Sequence, residues 1–135
     1  MDFNALRIFD YPAEILILIF ISFTFLQSGY DKIKDWKGNL GWLQSHFKET
    51  VFSNFVTFLL IILIVFELLS GVMTVLGIYT ILAYDITYFA SWSLFISGLT
   101  LIFLLIGQRV AKDYAGAMTI AVYFIITVFG LYLLK

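Results

Sequence analysis

Cysteine is absent from the 135 residues, and that absence removes whole classes of chemistry. No disulfide, iron–sulfur cluster, thiolate zinc site or thiol relay can be assembled from this chain. Histidine is nearly absent too. His46 stands alone, so two histidines cannot hold a haem here, and no second group at suitable spacing makes His46 a metal ligand. Charge is scarce: 13% of residues, against roughly 25% in a soluble domain. A net charge of −1 argues against nucleic acid as a partner. Proline occurs once, at Pro12, and no internal repeat or low-complexity tract is visible. The chain builds no cofactor site by itself, so any electron carrier is an organic molecule such as a quinone, or belongs to another subunit.

What remains is apolar, with 62% hydrophobic and 19% aromatic residues. The composition implies a polytopic membrane protein, a single unit over residues 1–135. Its organising stretch is 51–82, nearly all apolar, with one acid, Glu67, near the middle. Roughly 20 apolar residues cross the hydrocarbon of a bilayer. A carboxylate inside such a span costs about 2.5–3.5 kcal/mol, so Glu67 is expected to face the other helices and find a partner there.

Four spans are predicted, over about 13–28, 51–80, 89–106 and 118–134, forming an all-α antiparallel bundle. The leading segment 1–11, with Phe3, Phe9 and Tyr11, reads as an interfacial lead-in rather than a cleavable signal. Pro12 suits a first helical turn, where its missing N–H is no loss, and Glu14 is favoured there by the helix dipole. Between spans one and two, Ile33, Trp36, Leu40, Leu43 and Phe47 recur every three or four residues. This spacing predicts a short interfacial helix with its tryptophans at headgroup depth, broken near Gly38, Asn39 and Gly41. Tyr79, Tyr84, Tyr88 and Trp92 mark an aromatic belt near the turn between spans two and three.

Small and polar residues form one face on span two: Glu67, Ser70, Gly71, Thr74 and Gly77 or Ile78. Span three answers with Ser93, Ser97, Thr100 and Gly107. Such faces let membrane helices approach closely. Six cations, Lys32, Lys34, Lys37, Lys48, Arg109 and Lys112, lie in the first and third connections, against Arg7 and Lys135 on the other side. The positive-inside bias puts those two loops in the cytoplasm and both termini outside. In the third connection, the spacings Arg109 to Asp113 and Gln108 to Lys112 suit paired side chains on a continued helical turn.

Gly29-Tyr30-Asp31-Lys32-Ile33 at the end of the first span, Glu67 followed by Gly71 in the second, and Gly107-Gln108-Arg109…Lys112-Asp113…Gly116-Ala117 together resemble the DoxX family of small four-helix membrane proteins. The resemblance covers about residue 15 to the C-terminus. It implies the motif positions Gly29, Lys32, Glu67, Gly71, Gln108, Arg109, Lys112, Asp113 and Gly116. It also implies a link to thiosulfate:quinone oxidoreductase, in which such a membrane subunit accompanies a protein partner and passes electrons to a quinone in the bacterial inner membrane.

Two readings of Glu67 stand side by side. In one it lines a quinone-contacting or proton-titrating pocket with Gly71, Thr74, Ser97 and Tyr123, Ser93 serving as a further donor. In the other it is interhelix glue. Asp31 and Lys32, with the Arg109 turn, are expected to surround a polar mouth leading toward it; no residue is assigned a catalytic role. The functions that compete are an accessory subunit of a quinone-linked oxidoreductase, a non-catalytic scaffold of a larger membrane complex and, last, a small-solute or proton carrier, which normally shows broken helices or inverted repeats.

Overall fold

The computed structural model describes residues 4–135; Met1 to Phe3, including the predicted lead-in aromatic Phe3, lie outside the described residues. After a short 3-10 helix (Ala5–Phe9) come α1 (Pro12–Lys34), α2 (Trp36–Phe47), α3 (Val56–Tyr84), α4 (Tyr88–Val110) and α5 (Tyr114–Leu133). All but α2 are long and apolar enough to cross a membrane. The fold is an antiparallel four-span bundle in which α1 packs on α3, α3 on α4, and α4 on α5, with α5 closing back more lightly on α1.

The core is narrow. Leu18, Ile21 and Phe25 of α1 meet Ile81 of α3 and Leu94 and Leu101 of α4. The outer faces carry exposed Leu16, Phe23, Val65, Val72, Leu99 and Ile125. In water that much exposed apolar surface would be an aggregation liability; against acyl chains it is the solvent-facing surface.

Hydroxyls and glycines set the helix spacing. Ser22 of α1 donates to Thr74 of α3 at 2.7 Å, and Ser70 of α3 lies 3.2 Å from the Thr100 hydroxyl of α4. At Gly77 a Cβ would come within 2.7 Å of the Ala90 Cα, so α3 and α4 touch backbone to backbone there. This is the close approach that the small-residue faces predicted.

The spans run longer than their apolar cores suggested. α1 continues to Lys34 instead of ending near 28, α4 begins at Tyr88 and continues to Val110, and α5 starts at Tyr114 instead of 118, while α3 is displaced to 56–84. Polar and charged end residues stay helical because their heads reach the interface while their stems cover the bundle. The predicted break at Gly38–Gly41 is corrected: α2 is continuous through both glycines, and the chain turns instead at Asp35.

Two similar caps account for the starts of α2 and α5. Asp35 accepts from the Gly38 N–H at 3.3 Å, and Asp113 accepts from the Gly116 N–H at 3.0 Å. Each is an N-cap carboxylate bonded to the third helical N–H, as helix starts require. In both, a Cβ on the glycine would strike the capping carboxylate, which explains Asp-x-x-Gly at each start.

At the opposite end of the bundle the N-terminal segment docks on the end of α3. The Asn4 N–H and the Arg7 guanidinium both donate to the Leu82 carbonyl, at 2.9 and 3.0 Å. A cation there also complements the negative end of the helix dipole. The lead-in is thus a cap on the end of α3.

Candidate functional site

Glu67 is buried between α1 and α3, with 1% of its surface exposed. Its Oε1 accepts from the Lys32 ammonium at 3.2 Å and from the Ser28 hydroxyl at 3.1 Å. Lys32 also donates to Ser28 at 2.6 Å, so the three side chains close a triangle. This is the one ion pair among the described residues. The other carboxylate oxygen, Oε2, is buried and has no hydrogen-bond partner among them.

Helical periodicity and one glycine build the triangle. Ser28 and Lys32 lie four apart in α1 and share a face. Gly29, between them, lets α3 come close: a Cβ there would fall 2.7 Å from Leu68 and 3.8 Å from the Glu67 Cβ. Lys32 sits in the last turn of α1, and its side chain keeps 19% exposure at the α2 end of the bundle. Desolvation offsets much of the attraction in a pair like this. Its structural effect is registry, because α1 slipped by one turn against α3 would strand the carboxylate.

Of the expected pocket residues, Gly71 and Thr74 follow Glu67 at i+4 and i+7 on the same face of α3, but among the described residues none of those expected hydrogen-bonds its carboxylate. Ser97 donates to its own helix at Ser93, and Ser93 to Ala90, at 2.8 and 2.7 Å. Thr74 donates to the Gly71 carbonyl at 2.7 Å, Gly71 itself is packed against Leu26 of α1, and Tyr123 stands edge-on to Phe20. The donors to Glu67 are therefore Ser28 and Lys32, and neither Ser93, Ser97 nor Tyr123. Sequence reasoning missed that pairing because the first span was ended at Ser28, which assigned Lys32 to the loop. The available signal was the i, i+4 spacing of Ser28 and Lys32 around Gly29.

The motif residues at the α2 end of the bundle also separate. Asp31 is exposed on α1. Arg109 lies 5.1 Å over the Tyr114 ring, so it pairs with an aromatic face and not with Asp113. Asp113 is occupied as the α5 cap. Lys112, at φ 60°, stands in the left-handed region that ends α4, and the Asp113 N–H folds back to the Gln108 carbonyl at 2.8 Å. This αL turn, with its bond spanning six residues, is a helix stop, and it removes the continued helical turn on which the Arg109–Asp113 and Gln108–Lys112 pairings depended. Lys32 and Arg109 share one end of the bundle, yet each is engaged separately, one with Glu67 and the other with Tyr114. His46 is exposed and stacked on Trp42 at 3.7 Å, an interfacial side chain.

A cavity of about 130 Å³ lies elsewhere, between α2, the turn that follows it, α3 and the end of α4. That is an order of magnitude more than one water requires. Phe47, Leu60, Leu63, Phe103 and Leu104 make it apolar; Trp42 and Gln108 are lining residues that carry side-chain N–H groups, and the Gln108 carboxamide itself lies beside Gly116 of α5. Glu67 faces α1, one helical turn beyond Leu63, and is not part of that lining.

A four-span bundle with a carboxylate tied across two spans and a separate apolar cavity under an interfacial helix defines a small integral membrane protein of the antiparallel-bundle class. Residues 15–90 match the DoxX family model, more than half of the sequence, and the chain belongs to the DoxX family. Comparison with curated proteins found no match, and comparison with solved structures found none either.

Proposed function

We propose that this protein is an accessory membrane subunit of a quinone-linked oxidoreductase or respiratory-type complex of the bacterial inner membrane, with a quinone held in the cavity beneath α2. The observation that carries the reading is the cavity itself: apolar walls suited to a prenyl tail, with Trp42 and Gln108 among the lining residues as side chains able to donate to ring carbonyl oxygens. The chain contributes position and solvation; the electrons come from a protein partner. The six cations at the α2 end support an orientation with the connections around α2 and between α4 and α5 in the cytoplasm and the termini outside.

The test is quinone copurified with the protein in mild detergent. Leu63→Trp, which fills the cavity, and Gln108→Ala, which removes a donor, are expected to lower the quinone-to-protein ratio. Glu67→Gln, outside the cavity, should leave it unchanged. Equal quinone in wild type and Leu63→Trp would reject the reading.

One observation favours the scaffold reading instead: α5 is the least enclosed span and offers Met118, Val122, Ile125 and Phe129 to its surroundings. Under that reading, charged substitutions on this face disrupt a copurifying complex, while filling the cavity does not.

A further inference from the structure

We infer that Ser28, Lys32 and Glu67 form a proton-loading site, open toward the α2 end of the bundle and closed toward the other. Three observations meet there. Glu67 is almost wholly buried, yet one of its oxygens has no hydrogen-bond partner among the described residues. Lys32, the one cation paired with it among those residues, is partly exposed and joins the carboxylate to the α2 end of the bundle. Ser28 touches both, at 3.1 and 2.6 Å, and offers a hydroxyl bridge between them.

The step balances without any co-reactant. A proton leaves Lys32 Nζ and binds the Glu67 carboxylate, directly or through Ser28, which accepts one proton and releases another. The ion pair becomes a neutral amine and a neutral acid, and Lys32 regains a proton from interfacial water. In a low-dielectric site two neutral groups avoid the desolvation that an under-solvated pair must bear. Among the described residues no other charged group pairs with Glu67: Asp31 and Lys34 on α1 are exposed, as are Asp35 and Lys37 at the start of α2. α4 faces this region with Thr100, its one cation Arg109 lies over Tyr114, and α5 carries no charged residue.

Further into the bundle the path stops. Ser22 donates to Thr74, Thr74 to the Gly71 carbonyl, Thr100 to the Ile96 carbonyl and Ser97 to the Ser93 carbonyl. These hydroxyls terminate on backbone oxygens, which pass no proton on. The proton enters and leaves on one side, so the site stores charge and does not transport it.

Infrared difference spectra of the full chain in lipid nanodiscs, recorded after pH steps in H2O and D2O, test this. A C=O band of a protonated carboxylic acid should change across the pH steps and be lost in Glu67→Gln. Lys32→Arg keeps the charge and the hydrogen bonds but cannot release a proton. In that variant hydrogen–deuterium exchange at the band should slow by about tenfold or more, with the melting temperature near wild type. If Lys32→Arg does not fold, Ser28→Ala supplies the same comparison, with a smaller slowing. No Glu67-dependent band, or exchange in the folded variant as fast as in wild type, would overturn the inference. So would a proton flux into wild-type proteoliposomes that disappears in Glu67→Gln.

Discussion

Tyr11 donates its hydroxyl to Asp85 at 2.9 Å and so links the start of α1 to the turn between α3 and α4. The hydrogen bond to Asp85 foremost, then partial burial and the nearby negative charges, raise the Tyr11 phenol above its usual value near 10. A raised folded-state value means the bond contributes in full while the unfolded chain keeps its phenol protonated. The contribution is lost as pH rises through the folded-state value. The melting temperature of wild type should therefore exceed that of Tyr11→Phe at neutral pH, and the gap should close as the pH rises beyond the ordinary phenol value. A gap that stays constant from neutral to alkaline pH would remove Tyr11 from this role. At this same scale, Glu67 was legible because it stands alone in an apolar run. Its partner was not, because hydropathy locates the apolar centre of a helix and says little about how far a lysine stem can follow it inward.

Among the elements, the contact between α3 and α4 depends on Gly77, where no side chain separates the two backbones. Gly77→Ala should cost about 1–3 kcal/mol, because backbone atoms of Ala90 must move and no flexible side chain can absorb the added carbon. Gly41 in α2 is the control: nothing lies within 4 Å of its missing Cβ. Gly41→Ala should stabilise by about 0.5–1 kcal/mol through helix propensity alone. Unfolding titrations in mixed micelles measure both, and a loss of the same size at each position would refute the close-approach account. Four spans and the short helix after the first were readable from hydropathy and periodicity. Their ends were not. Gly38 looked like a breaker by composition, whereas its small size serves the Asp35 cap from inside the helix. Lys112 gave no sign that it would adopt the left-handed turn usually left to glycine.

For the molecule as a whole, the proposed orientation can be tested without altering a background, since the natural chain carries no cysteine. A membrane-impermeant maleimide applied to intact cells should label Lys135→Cys and should reach Ser45→Cys, on exposed α2, only after permeabilisation. The opposite pattern would invert the assignment. The pooling of cations at one end was plain in the sequence, but the separation of the cavity from the acid was not. Both lie along the same side of α3, and only the packing of α1 against Glu67, one turn beyond the stretch of Leu60 and Leu63 that α2 and α4 cover, separates them by height.

α3 has 29 residues and α5 has 20, so at 1.5 Å per residue their axes measure about 43 and 30 Å. Only the shorter matches the roughly 30 Å of hydrocarbon in an ordinary bilayer. The perimeter is thus uneven, taller along one edge than along the other. Lipids beside α3 must stretch, or the bundle must lean, and either response makes membrane thickness itself a variable that acts on this protein.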